Sequence, residues 1–216
     1  MKSIIVATKN KHKFSEIQAF FGGSPDLTSN VSFYSLLNLP AEALTKTGPK
    51  LPEIDEDCLS FVGNALKKAK VISEATGLPV LADDSGLSVQ ALDGRPGVFS
   101  ARYAGKGAAD DQNNQKLLQE LKSIPLNQRE AKFICAIVLY LPDGTFYTAE
   151  GELTGSMVDE YQGKHGFGYD PIFYMPDRKC TLAQVPEEEK ILFSHRTKAL
   201  ENLLKITNHF KQLAYR

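Results

Sequence analysis

The chain has 216 residues, 42% of them hydrophobic and 24% charged, with 25 Lys plus Arg against 26 Asp plus Glu and a formal net charge of −1. A chain of this size buries roughly 70–75% of its unfolded surface, so it builds a core without staples, and its length fits one large domain or two small ones. Balanced charge excludes a global basic field for nucleic acid or an anionic membrane, and the longest apolar run, the nine residues 133–141, falls well short of the ~18 needed to span a bilayer.

Residues 2–7 read as a short buried strand with Ile4-Ile5-Val6 at its centre, an apolar run too short for a signal peptide. The polar stretch Thr8-Lys9-Asn10-Lys11-His12-Lys13 leads into an amphipathic helix carrying Phe14, Ile17, Phe20 and Phe21, with a stop at Gly22-Gly23-Ser24-Pro25. Residues 31–37 fit a second strand, and 38–55, rich in Pro, Gly and Lys, read as a long flap. Val62, Ala65, Leu66, Ala69 and Ile72 recur at helical spacing up to Gly77. Residues 78–82 form a strand broken by Asp83-Asp84-Ser85-Gly86, after which 87–92 either continue it or return as its partner.

Further along, Leu117, Leu118 and Leu121 mark another helix, and 131–141 and 145–150 flank the hairpin turn Pro142-Asp143-Gly144. Residues 172–174 are a short strand, and Ala199, Leu200, Leu203, Leu204 and Ile206 stripe a last helix. Strands alternate with helices early and form hairpins later, which predicts a mixed sheet in an α/β, or α+β-like, architecture. No repeat, heptad or low-complexity tract interrupts it, and nothing marks a boundary, so 1–216 is read as a single domain. Cys58, Cys135 and Cys180 lie far apart, arguing against a disulfide framework or zinc site and for a reducing cytoplasm.

Five segments carry candidate chemistry. Asp83-Asp84-Ser85-Gly86 places two carboxylates and a hydroxyl just past an apolar strand, an expensive arrangement that a hard divalent cation would compensate and that a simple turn would also explain. Glu53, Asp55, Glu56 and Asp57 precede a helix, where acidic residues suit the dipole on their own account. Thr8 to Lys13 combine a helix start with ammonium groups, the pieces that favour a phosphate chain, although the P-loop glycines are missing. Gly163-Lys164-His165-Gly166-Phe167-Gly168-Tyr169-Asp170-Pro171 offers permissive backbone and flat rings for a base, or a glycine-rich turn at a hairpin. Lys190 and Ser194-His195-Arg196 close the set, with Ser194 a plausible N-cap. A nucleoside triphosphate uses all five at once.

Together these segments resemble the inosine triphosphate pyrophosphatase family, the dITP/XTP pyrophosphatases. The resemblance runs nearly end to end, through Ala7-Thr8-Lys9-Asn10 with Lys13, Ala82-Asp83-Asp84-Ser85-Gly86, Gly94-Arg95-Pro96-Gly97 with Ser100-Ala101-Arg102-Tyr103, Gly166-Phe167-Gly168-Tyr169-Asp170-Pro171-Ile172-Phe173 and Ser194-His195-Arg196. It implies Mg²⁺-dependent hydrolysis of ITP, dITP and XTP to monophosphate and pyrophosphate, cleansing the nucleotide pool. It also implies a cytoplasmic homodimer whose long mixed sheet, flanked by helices, forms two lobes around a nucleotide cleft.

By matching motifs, the resemblance implies that Thr8, Lys9, Asn10, Lys11, His12 and Lys13 hold the triphosphate. Asp84 takes the place of general base and metal ligand, Glu56 that of a second metal ligand, and Ser85 contacts substrate. Phe167, Gly168, Tyr169, Asp170, Lys190, His195 and Arg196 bind the nucleotide, with a donor from Arg196 or the His195 backbone meeting a 6-keto purine. Two departures stand out: Gly63 replaces the family's usual Glu before Asn64-Ala65, and the stretch between Phe21 and Glu56 is longer than usual. The competing readings are a pyrophosphatase for modified pyrimidine triphosphates and a nucleotide sensor without catalysis, to which Gly63 is the one pointer.

Overall fold

The computed structural model describes residues 2–23, 31–47 and 51–207; Ser24 and Pro25 of the first helix stop, and 48–50 of the flap, lie outside them. The strands are β1 (Lys2–Val6), β2 (Val31–Ser35), β3 (Val80–Val89), β4 (Glu130–Tyr140), β5 (Phe146–Met157), β6 (Phe173–Met175) and β7 (Cys180–Thr181). The helices are α1 (Lys11–Gly22), α2 (Ala41–Thr47), α3 (Phe61–Thr76), α4 (Asp110–Leu121), α5 (Glu187–Lys190) and α6 (His195–Ile206), with short 3₁₀ turns between them. The seven strands hydrogen-bond in the order β2-β1-β3-β4-β5-β6-β7. β1 runs parallel to both β2 and β3, whereas β5-β6 and β6-β7 are antiparallel, so the sheet is mixed as expected.

Two differences from the sequence reading matter. A short helix, α2, stands inside the expected flap. More consequentially, Asp83-Asp84-Ser85-Gly86 does not break a strand: β3 runs straight through it from Val80 to Val89. Turn residues lose to tertiary context here, because the cations described below neutralise the carboxylates in place.

The chain forms two compact units, one of Met1–Asp84, Cys135–Gly151 and Arg196–Arg216, the other of Ser85–Ile134 and Glu152–His195. In the first unit the period-two alternation of a strand sorts the core into two layers. Ile4, Val6, Leu81, Ile137 and Leu139 pack with Ile17 and Phe21 of α1 and Leu200 and Leu203 of α6. Their chain neighbours Ile5, Ala7, Val80, Ala82 and Val138 pack instead with Ala65, Ala69 and Ile72 of α3. A sheet covered on both faces explains why its strands read as continuous apolar runs.

The second unit has its own core. Leu87 and Val89 of β3, Leu117 and Leu121 of α4, Phe133 of β4, Leu153 and Met157 of β5, and Phe173 and Met175 of β6 cluster with Tyr169 and Ile172. Gly155 is required where β5 meets β6, since a Cβ there would lie 2.4 Å from the Tyr174 carbonyl oxygen.

Candidate active site

The alternation that sorts the core also separates the two adjacent aspartates. Asp83 follows Leu81 onto the face covered by α1 and α6, and Asp84 follows Ala82 onto the face covered by α3. On the first face, Asp83 is 1% exposed, and its Oδ2 accepts from Lys13 Nζ at 2.9 Å and from Arg196 Nη2 and Nε at 3.0 and 3.3 Å. Arg196 is equally buried and also pairs with Glu16. Asp83 Oδ1 is buried without a hydrogen-bond partner among the described residues, so the stabilisation converges on Oδ2. Burial opposes the Asp83 charge, but Lys13, Arg196 and Lys68 together hold its carboxyl far below the usual carboxylate range.

Lys13 reaches Asp83 because α1 starts where it does. Asn10 is the N-cap, its Oδ1 accepting from the His12 and Lys13 amides at 2.9 and 3.2 Å. Thr8 Oγ1 in turn accepts from the Asn10 amide at 3.1 Å. The Thr8–Lys13 segment therefore meets two of its own first-turn N–H groups internally. It leaves Lys9, Lys11 and His12 exposed and the Lys13 ammonium half-buried.

On the opposite face, Asp84 Oδ2 accepts from Asn64 Nδ2 at 3.0 Å, and Oδ1 lies 3.4 Å from Lys68 Nζ. Lys68 also reaches Glu56 Oε1 at 2.7 Å, so one ammonium bridges the two carboxylates expected to hold metal. The amide of Asn64 has a fixed sense: its Oδ1 accepts the Cys58 N–H at 3.0 Å, which turns its NH₂ to Asp84. Burial raises the Asp84 pKa above its ordinary value despite the pull of Lys68, Lys13 and Asn64. Burial opposes the Lys68 charge as well, yet Asp84, Asp83 and Glu56 outweigh it and raise the ammonium pKa.

Asn64, Lys68 and Glu16 were not singled out by sequence reasoning as site residues. Lys68 had a signal: it interrupts the apolar stripe of α3 between Ala65 and Ile72, where a lysine is buried only with partners.

The second unit holds the glycine-rich loop. Asp170 Oδ2 accepts the Phe167 amide at 3.0 Å and the Lys190 ammonium at 2.6 Å, in a pair that is almost fully buried. Lys190 Nζ also stands 4.6 Å from the centre of the Phe167 ring. Gly166 has φ +76°, and a Cβ there would sit 2.0 Å from Asp170 Oδ2, so the loop closes this tightly only with glycine. Tyr169 is buried, its hydroxyl donating to the Ser100 carbonyl at 2.8 Å. His195 is buried and stacks on Phe133 at 4.9 Å, while Ser85, next after Asp84, is half-buried on β3.

Of the expected site residues, the structure thus gathers Lys13, Glu56, Asp84 and Arg196 in the first unit. It gathers Phe167, Gly168, Tyr169, Asp170 and Lys190 in the second. These arrangements can be set beside known proteins. The model of the Ham1 family matches residues 4–206. The chain belongs to the Ham1 family. This Ham1 sequence is 48% identical over 200 residues to a dITP/XTP pyrophosphatase of Geobacter sulfurreducens, covering 93% of this chain and 94% of that one. It is 45% identical to the dITP/XTP pyrophosphatase of Halalkalibacterium halodurans, covering 94% of this chain and 97% of that one. The structure of a HAM1 protein from Coxiella burnetii superposes with a TM-score of 0.81 at 38% identity, covering 95% of this chain and 98% of that one.

The Gly63 departure has a local explanation in this Ham1 chain. Ser60 caps α3 by accepting the Gly63 amide at 3.1 Å, and a Cβ at 63 would lie 2.9 Å from Ser60 Oγ and 3.0 Å from Cys58 Cβ. Cys58 fills the place of a side chain, and Asp84 has its partners without a carboxylate at 63.

The donor set also bears on metal. Among the described residues no group of three or more His, Cys, Asp or Glu is placed to cage an ion. Glu56 and Asp84 offer only oxygen, and two carboxylates suffice for Mg²⁺ when phosphate and water complete its octahedron. Glu16, Glu56, Asp83 and Asp84 outnumber Lys13, Lys68 and Arg196 by one charge. The residues therefore fit a divalent cation that arrives with a phosphate chain.

Proposed function

We propose that this chain hydrolyses dITP, ITP and XTP, non-canonical purine triphosphates, to the monophosphate and pyrophosphate, as a Mg²⁺-dependent cytoplasmic homodimer. The observation that carries the reading is the divided pair on β3: Asp83 neutralised by Lys13 and Arg196, and Asp84 with a raised pKa beside Lys68 and Glu56. It occurs in a chain nearly half identical to a dITP/XTP pyrophosphatase. The family match crosses both compact units, which supports reading 1–216 as one catalytic domain. Among the described residues no helix is long and apolar enough to cross a membrane.

Asp84 acts as the general base, taking a proton from water as its oxygen bonds to the α-phosphorus. The bond from that phosphorus to the bridging oxygen breaks, and pyrophosphate leaves with the electron pair. A raised carboxyl pKa strengthens that base at neutral pH. Lys68 and Lys13 are the ammonium groups suited to phosphate oxygens. A divalent ion on Glu56 and Asp84 would add charge neutralisation at those oxygens. In the second unit, Phe167 supplies a flat face for the base, and Asp170 and Lys190 fix that ring. We assign recognition of a 6-keto group to a donor from Arg196, whose guanidinium is also held by Asp83 and Glu16, or from the His195 backbone. A buried donor left unpaired by adenine's amino group gives rejection that reaches roughly 10⁴-fold in sites built for it.

The test is a panel of dITP, ITP, XTP, GTP and ATP with Mg²⁺, with pyrophosphate and orthophosphate detected separately and the oligomeric state measured by light scattering. One pyrophosphate per dITP or XTP, with ATP poorer by at least about a hundredfold in kcat/KM, is the expected result. Orthophosphate as the first product, or equal efficiency across the panel, overturns the assignment.

A further inference from the structure

The first turns of α4 were left without a functional part by both the sequence and the site above. Yet this helix grips Gly168 of the glycine-rich loop at both its N–H and its C=O. Asp110 Oδ2 accepts the Gly168 N–H at 2.7 Å, and Asn114 Nδ2, one helical turn further on, donates to the Gly168 carbonyl at 2.9 Å. The next residue of the helix, Asp111, accepts from the Tyr161 hydroxyl at 2.8 Å, just ahead of the same loop. Gly168 itself has φ +62° with open space where a Cβ would stand, and the two hydrogen bonds hold the peptide groups on either side of it.

Asn114 is the informative member. It is 2% exposed, and its Oδ1 is buried with no hydrogen-bond partner among the described residues. Burying a half-satisfied amide is destabilising compared with an apolar side chain of similar size. Its neighbours Leu117 and Leu121 on α4 belong to an apolar core that would accept one. What the amide provides is the bond to Gly168, together with a side-chain interaction with the Tyr161 hydroxyl.

We propose that Asp110 and Asn114 are positioning residues that hold the Gly168 backbone, through its N–H and its C=O, so that Phe167 is presented correctly to the purine base. The inference rests on the reading of 167–170 as the base-binding loop. Asn114 is a positioning residue whose loss is not a loss of folding, which sets it apart from an ordinary core residue.

Four variants and three readouts (stability, amide exchange and steady-state kinetics) test it. Asn114→Leu should fold at least as stably as the wild type, exchange the amide hydrogens of 166–169 faster, and raise the KM for dITP about tenfold with kcat little changed, the pattern of lost uniform binding. Asp110→Ala should do the same, whereas Asp110→Asn, which keeps an acceptor for the Gly168 N–H, should restore both exchange and KM. Unchanged exchange in Asn114→Leu overturns the clamp. Faster exchange with an unchanged KM overturns its role in binding, provided Phe167→Ala does raise KM. If Phe167→Ala leaves KM unchanged, the reading of the loop as the base site fails instead.

Discussion

Asp83 and Asp84 are one residue apart on β3 and have opposite environments. The α1/α6 side of the strand sets two cations against one carboxylate oxygen and drives the Asp83 pKa down; on the α3 side burial outweighs the pull of Lys68, Lys13 and Asn64 and raises that of Asp84. The same chemical group is a fixed counter-charge on one face and, in the function proposed above, a proton acceptor on the other. Nothing about the residue type separates them. What separates them is the alternation of an extended strand, which a turn at Asp83-Asp84-Ser85-Gly86 would have abolished.

The largest effect should fall on Asp84. Asp84→Asn keeps the shape of the side chain but removes the proton acceptor, and kcat for pyrophosphate release from dITP should drop about a thousandfold. The urea midpoint should move little, because Asn64 and Lys68 lose only part of one partner. A variant that turns over near the wild-type rate would remove Asp84 from the base role.

Asp83→Asn should reverse the pattern. Removing the charge leaves the buried Arg196 and the half-buried Lys13 against an amide, and breaking a buried pair costs about 3–5 kcal/mol, read as a lower urea midpoint. Whatever kcat survives should be measured on the folded fraction, and should fall less than in Asp84→Asn. If the ranking of stability and rate came out the same for both variants, the division between the two faces would be wrong.

How much of this division was legible beforehand can be read from the residues. The apolar runs Ile4-Ile5-Val6 and Val80-Leu81-Ala82 mark buried strands in the sequence, and the helical spacing over Ile17 and Ala65-Ala69-Ile72 is equally plain, because these patterns are local. The motif blocks around Lys13, Asp84 and Phe167 were legible too. The course of β3 through its acidic run was not, since Asp, Ser and Gly locally favour turns, and the cations that overrule them come from positions 13, 68 and 196, far away in sequence. Asn64 reads as an ordinary helix residue in the sequence, and its role appears only with Cys58 and Asp84 on either side of it.

Lys68 sharpens the comparison from the Asp84 side. Lys68→Met keeps the aliphatic stem and removes the ammonium that bridges Glu56 and Asp84, so the rate should fall about a hundredfold through lost charge stabilisation on phosphate. Without the lysine the two carboxylates should also bind Mg²⁺ more tightly in the absence of nucleotide, measured by titration calorimetry. Weaker Mg²⁺ binding by the variant would mean that the lysine orders the carboxylates rather than competing for them.

The smallest effect concerns Asn10, and it separates two roles for one side chain. As an N-cap it accepts from the His12 and Lys13 amides, and Asn10→Ala should cost about 1 kcal/mol. Because the Lys13 ammonium reaches Asp83 from that same turn, fraying there should also loosen the counter-charge and lower kcat slightly. Asp caps as well as Asn does and suits the positive end of the helix dipole, so Asn10→Asp should restore stability if capping is the whole role. If Asn10 Nδ2 instead donates to a phosphate, the carboxylate of Asn10→Asp would repel the substrate, and the KM for dITP would rise even as stability returns. The two constants measured on the two variants therefore tell whether the Thr8–Lys13 segment serves the nucleotide through its side chains or by setting where Lys13 stands.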